Sequence, residues 1–224
     1  MKEYFEVLRK CPLFYGIENE NFQKILECLG AKVKSFRKKE TIIAEGEPAK
    51  YIGIILSGAA QIVRVDYFGN RSIVADVGPS ELFGESFACA DIDAVPVDVV
   101  AAVDTKVMLA DCLRITRSCS NECLFHGQLV YNLMKVIAEK NLMFHQKIEI
   151  TSRRTTREKL TAYLLQQAKK HNSNVFEIPY SRQELAEYLE VERTGLSVEI
   201  SKLCKQGFIE TDRKSFTILR NIDY

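Results

Sequence analysis

The chain predicts an α+β protein: an N-terminal double-stranded β-roll of cupin or jelly-roll type, then a long helix, then a C-terminal winged helix-turn-helix. Three observations carry this. Short β-rich runs separated by turn residues recur at regular spacing through residues 31–115, the texture of a sandwich or roll. Residues 120–150 hold the longest uninterrupted helical pattern in the chain. Residues 180–210 read as two short amphipathic helices around a tight turn, followed by a strand. We place the domains at 1–119, 120–150 and 151–224.

At 224 residues the chain has room for two domains, each with a core of its own. An apolar content of 46% with 27% charged residues is that of a soluble globular protein. No run approaches the ~20 apolar residues that cross a bilayer, so no membrane partner is expected. The start, Met1-Lys-Glu-Tyr-Phe-Glu6, carries acids where a signal peptide would be basic and then apolar, so we expect a cytoplasmic protein. From Thr151 onward there are 13 Lys/Arg against 10 Asp/Glu, a balance of +3, which leaves −2 for the preceding part. The asymmetry is small and has the sign of a DNA-binding end.

Seven cysteines without a signal peptide are expected to stay reduced thiols. No C-x-x-C pair occurs. Cys119, Cys123 and His126 come nearest to a metal cluster, yet a single such group without a second pair more often packs than ligates, so neither metal nor haem is expected.

In chain order, helical patterns at 5–9 and 20–29 surround the loop 11–16 and form a small cap ending at Gly30. Strands are expected at 33–36, 41–44, 51–56, 60–65, 72–76, 98–102 and 106–110, around an interior or mouth where a small molecule could sit. Segment 81–88 is the exception, a turn entering a short helix. Gly84 can turn backbone amides toward an anion and Glu85 can accept from ligand hydroxyls, with Ser86 beside them. Equally, Gly84 can serve only the turn and Glu85 only the helix cap.

In the long helix, Val130, Ile137 and Phe144 recur every seven residues, as do Leu129, Val136, Met143 and Ile150, with Leu133 between. Such a helix is too long for one small domain to bury, so this seam, interrupted by Lys140 and Lys147, is expected to meet its copy in a homodimer; the alternative is the chain's own roll. Segment 151–156 is a polar hinge whose Arg153 and Arg154 are candidate phosphate contacts. A helix follows at 157–170, with His171 as its expected cap.

Ser181 and Glu184 have capping-box spacing and start the first motif helix. Leu185 and Leu189 face inward, Ala186 allows a close crossing, Val191 fills the turn, and Leu196, Ile200 and Leu203 line the second helix. That helix presents Arg193, Thr194, Ser197 and either Glu199 or Lys202 outward. An arginine can grip a guanine bidentately and hydroxyls bond either base edge, which suits the major groove. A plain αα-hairpin is the bland alternative. Gly207 as C-cap and two alternating strands at 208–211 and 215–219 complete a wing.

Roll, long helix and winged helix in this order resemble the cyclic-AMP receptor protein and FNR family of bacterial transcription regulators, over essentially the whole chain. Gly46-Glu-Pro-Ala-Lys-Tyr-Ile-Gly-Ile-Ile-Leu-Ser-Gly58 is similar to the family's strand-turn-strand signature, Phe83-Gly-Glu85 to the start of its ligand cassette, and Ser181-Arg-Gln-Glu-Leu-Ala186 to its first motif helix. The resemblance implies DNA contacts by Ser181, Arg182, Gln183, Arg193, Thr194, Ser197, Val198 and Lys202, and RNA polymerase as a partner. Where the family often has arginine this chain has Val198, and Glu190 stands at a turn position often held by glycine. The resemblance also marks Pro96 and Val97 as effector-wall positions where cyclic-nucleotide-binding members carry an arginine and a hydroxyl. Without a cation there, and with Asp91, Asp93 and Asp98 nearby, a buried phosphate is disfavoured, so no cyclic nucleotide is expected. Cys11 and Cys28 are too few and too far apart to match the closely spaced cysteines of iron-sulfur members.

The expected function is a homodimeric, sequence-specific regulator on double-stranded DNA, controlled by an unidentified small molecule in the roll. The alternative is a ligand-sensing regulatory subunit that does not bind DNA. No nucleophile-base set or phosphate loop points to an enzyme.

Overall fold

The computed structural model describes residues 2–116 and 125–220. Two compact units form, Met1–Asn141 and Leu142–Tyr224. The first holds helices α1 (Phe5–Lys10) and α2 (Phe22–Cys28) and strands β1 (Lys32–Phe36), β2 (Thr41–Ile43), β3 (Tyr51–Ser57), β4 (Ala60–Val65), β5 (Arg71–Val77) and β6 (Leu82–Phe83). Helix α3 (Glu85–Cys89), strands β7 (Asp98–Ala101) and β8 (Thr105–Asp111) and helix α4 (Cys112–Thr116) follow. The strands pair antiparallel in two four-stranded sheets, β1-β8-β3-β6 and β2-β7-β4-β5, which make the roll.

Burial along β3 explains its composition. Ile52, Ile54, Ile55 and Leu56 are all buried, because the strand has the roll interior on one side and helices on the other. Ile55 packs inside with Phe83, Val97, Val99 and Val107. Ile52, Ile54 and Leu56 join Leu8, Leu13, Phe22 and Ile25 of the N-terminal segment and Leu129, Leu133 and Val136 of the long helix in a second cluster. Gly53, paired with Phe83, is required: a Cβ there would lie 2.0 Å from the Phe83 ring.

The long helix α5 is His126–Thr151, about 39 Å at 1.5 Å per residue. The expected start at Ser120, with Cys119 and Cys123, lies outside the described residues. Asn132, buried, anchors the helix by donating from Nδ2 to the carbonyls of Leu13 and Tyr15 at 2.9 and 2.8 Å. Part of the expected dimer seam packs inside the chain itself. Leu129, Leu133 and Val136 are buried in the chain's own core, Ile137 packs against it, and Val130 and Phe144 are half-buried. Lys140 reaches Glu85 of the roll. Tyr131, Met134 and Leu142 on the opposite face are about 60% exposed, and so is Met143 of the expected seam. At 100° per residue Tyr131, Met134, Ala138 and Leu142 fall within about 80° of one another, and Leu129, Leu133, Val136 and Lys140 lie across the axis.

The second unit adds α6 (Thr156–His171), β9 (Val175–Glu177), α7 (Arg182–Leu189), α8 (Arg193–Lys205), β10 (Ile209–Asp212) and β11 (Ser215–Ile218). A capping box, Thr155 with Glu158, starts α6. Its cap is Asn172, in the left-handed conformation; the expected cap His171 is the last helical residue and stacks on Phe176. Strands β10 and β11 form the expected hairpin, and β9 adds a third strand to the wing sheet, in the order β10-β11-β9.

Candidate nucleic-acid interface and effector pocket

The helix-turn-helix is local chemistry made geometric. The Ser181 hydroxyl accepts from the Glu184 amide at 3.3 Å while the Glu184 carboxylate accepts from the Ser181 amide at 2.7 Å, so α7 starts where the spacing placed it. It ends at Glu190, whose φ of 54° is left-handed, a conformation costing a non-glycine residue about 1 kcal/mol or more. Lys159 of α6 donates to the carbonyls of Leu189 and Glu190, setting a cation on the negative end of α7. Leu185, Ala186 and Leu189 of α7 and Leu196, Ile200 and Leu203 of α8 are buried, and the two helices pack on each other.

With that face buried, α8 turns Arg193, Thr194, Ser197, Val198 and Lys202 to solvent, Val198 being 48% exposed. Lys202 Nζ lies 2.6 Å from Glu199 Oε1, and Ser197 Oγ donates to the Arg193 carbonyl at 3.0 Å. An open groove runs beside the helix, lined by Thr194, Gly195, Val198, Glu199 and Lys202 together with Thr155, Thr156 and Arg157. The last three were not singled out in the sequence, because the threonines look like linker and Arg157 like an ordinary helix residue. Only the approach of the α6 N-terminus to α8 brings them together. Arg157 is held by Gln206 at 3.0 Å and by the Phe208 ring.

Two expected DNA contacts sit differently. Arg182 Nη2 donates to Thr211 Oγ1 at 2.8 Å, its guanidinium lies 4.8 Å from the centroid of Phe216, and burial lowers its pKa from the usual arginine value. It is held against the wing. Ser181 is engaged in the cap, whereas Gln183 is exposed and bonds Glu187. In the hinge, Arg154 is exposed and Arg153 lies 3.7 Å from Glu149.

In the roll, Gly84 is the one of the five expected effector residues that lines the cavity. Gly84 takes φ 76° at the α3 N-cap. Glu85 is 3% exposed and its Oε1 stands 2.9 Å from Lys140 Nζ, which also donates to the Leu82 carbonyl at 2.5 Å. Its Oε2 is buried and accepts from none of the described residues. Ser86 is half-buried, Pro96 is exposed, and Val97 is buried in the apolar interior. Asp98 accepts from the Glu45 amide at 2.8 Å. A cavity of about 160 Å³ does open beside Gly84, over Ile42, Ile43, Phe87 and Val95, with Lys34 and Lys50 in its lining. Those two lysines come from β1 and from the residue before β3, far in sequence from the cassette. Among the described residues, no three His, Cys, Asp or Glu side chains gather as metal ligands.

Two family profiles match, the cyclic nucleotide-binding domain over residues 33–117 and the Crp-like helix-turn-helix domain over residues 158–223. The transcriptional activator protein FnrA of Stutzerimonas stutzeri is 25% identical over 194 residues, 84% of this chain and 77% of that protein. Among solved structures, the c-di-GMP-responsive global regulator CLP of Xanthomonas campestris superposes with a TM-score of 0.74 at 14% identity, covering 91% of this chain and all of that one. FixK2 of Bradyrhizobium japonicum gives a TM-score of 0.65 at 24% identity over 85% and 93% of the two chains. These structural likenesses speak to the fold.

Proposed function

This chain belongs to the cyclic-AMP receptor protein and FNR family of transcription regulators, and from that membership we propose that it is a homodimer binding specific DNA sequences through α8 and controlled through its roll by a small molecule other than a cyclic nucleotide. One observation supports the DNA reading above the others. Helix α8 sets Arg193, Thr194, Ser197, Val198 and Lys202 on one solvent-facing side, beside threonines and an arginine from α6 that can take the flanking phosphates. Arg193 is the guanine reader, Val198 meets a thymine methyl, and Arg154 holds the backbone. RNA polymerase, with which regulators of this family work, is the protein partner.

For the dimer we assign the exposed stripe Tyr131, Met134, Ala138 and Leu142 in place of the buried face. Met134→Asp with Leu142→Asp should give monomers in sedimentation, and an unchanged dimer would sink the assignment. Ile137→Asp should instead unfold the first unit, because Ile137 packs on its core.

Against a cyclic nucleotide stand Val97 packed into the interior, Glu85 paired with Lys140, and a cavity of about 160 Å³, below the ~300 Å³ at which ligand pockets begin. Calorimetry with cyclic AMP and cyclic GMP should show no saturable binding in the micromolar range; saturation by either overturns this part. Selection from random-sequence DNA tests the main reading. It should enrich two half-sites about one helical turn apart, and no enrichment, with or without cell extract, would refute it.

A further inference from the structure

Two thiols outside the sites above stand side by side in the first unit. Cys89 is the last residue of α3 and Cys112 the first of α4, and their Sγ atoms are 3.5 Å apart. A disulfide brings the sulfurs to about 2.05 Å, so closure asks for a movement of about 1.4 Å between helices that already touch. Access differs between them. Cys89 is exposed, whereas Cys112 is 2% exposed.

We propose that Cys89 and Cys112 form a dithiol modification site, which closes to a reversible disulfide when a low-molecular-weight disulfide such as oxidised glutathione reaches Cys89. Access sets the order of events. The Cys89 thiolate attacks one sulfur of RSSR, its sulfur–sulfur bond breaks, and RS⁻ leaves to take a proton from water, giving Cys89–S–S–R. Cys112 then loses its proton, its sulfur attacks the Cys89 sulfur, and the second RS⁻ leaves and takes up that proton. In balance, two protein thiols are oxidised by two electrons and RSSR is reduced to two RSH. Acidity agrees with this order. The hydrogen bond with Cys112 holds Cys89 below the ordinary thiol range, against burial and Glu85, which act the other way. That same bond, with burial and the charges of Asp111 and Asp91, pushes Cys112 up, so it reacts second.

The other described cysteines are not so placed. Burial drives the Cys11 thiol up to about 12, Cys28 has His126 at 4.0 Å as its neighbour, and Cys204 lies in α8. The crosslink would fasten the end of α3 to α4, while Glu85 at its start is already held by Lys140 of α5. Helix α3 would then be fixed at both ends.

Proteolytic mapping decides the matter, because trypsin places Cys89 in fragment 72–106 and Cys112 in fragment 107–114. Full-length protein is equilibrated with graded ratios of oxidised to reduced glutathione, alkylated, and digested without reductant. The expected main product at oxidising ratios is the two fragments joined, separated again by dithiothreitol. Cys112→Ala should stall at glutathione on Cys89, and Cys89→Ser should leave Cys112 alkylated. Two separately alkylated fragments at every ratio, a lasting glutathione adduct on wild-type Cys89, or Cys89 joined to another cysteine would each overturn the proposal. The wild-type map decides alone, so a folding defect in either variant does not protect the idea.

Discussion

Helix α3 in the roll and helix α8 in the winged unit are both polar near their N-termini, yet those side chains have different partners. In α3 the first carboxylate, Glu85, is buried against the Lys140 ammonium, and Ser86 Oγ sits 3.5 Å from the same carboxylate. In α8, Arg193 and Thr194 stand in solvent, and the apolar residues between them and the next turns are the ones buried. Similar polar beginnings therefore lead to opposite availability. What decides is the neighbouring element: α5 brings a cation to α3, whereas the elements around α8 cover only its leucine and isoleucine side.

The largest expected effect tests the buried end of this contrast. Lys140→Met leaves Glu85 charged and unpaired in the interior, and should lower the stability of the first unit by about 3 to 5 kcal/mol; adding Glu85→Gln should restore most of it. Denaturant midpoints measure both, and a loss under about 1 kcal/mol from the single change would mean that the pair is solvated in solution.

At the free end, Arg193→Ala should lower specific affinity by about 1 to 3 kcal/mol and relax preference at one base pair per half-site. Arg154→Ala should weaken all sequences alike and flatten the salt slope by about one unit. Anisotropy titrations at several salt concentrations separate the two, and identical profiles would erase the division between reader and backbone contact.

Arg182 sharpens the comparison from the middle. Its guanidinium serves Thr211 and Phe216, so Arg182→Ala should cost the winged unit about 1 kcal/mol of stability and leave base preference unchanged. A changed base preference would return Arg182 to the DNA face. The smallest effect is a gain: Glu190→Gly removes left-handed strain and should stabilise by up to about 1 kcal/mol, read as a raised melting temperature. A loss there would assign Glu190 a contact worth more than its strain.

Much was legible because it is local. The β-rich spacing, the Ser181 and Glu184 box, the apolar stripe of α8 and the wing hairpin each depend on residues a few positions apart, and each stands where its spacing placed it. Strands β6 and β9 escaped notice because two or three residues carry no period; pairing with Gly53 and Ile54, and with the wing, defines them. The orientation of α5 escaped for another reason. A heptad stripe shows that one face is apolar, but Leu129 and Leu133 read the same whether they meet a second subunit or Leu8 and Leu13 of their own chain.

By itself, then, the sequence determined the order of the parts, the start and turn of the DNA motif, and which side of α8 faces inward, since short-range periodicity and capping leave little choice there. Only the tertiary structure decided which face of α5 is free, that Glu85 is paired with Lys140, that Lys34 and Lys50 reach the cavity beside Gly84, and that Cys89 meets Cys112. Each of those joins residues distant in the chain. Their meeting depends on how whole elements pack, and no local pattern encodes it.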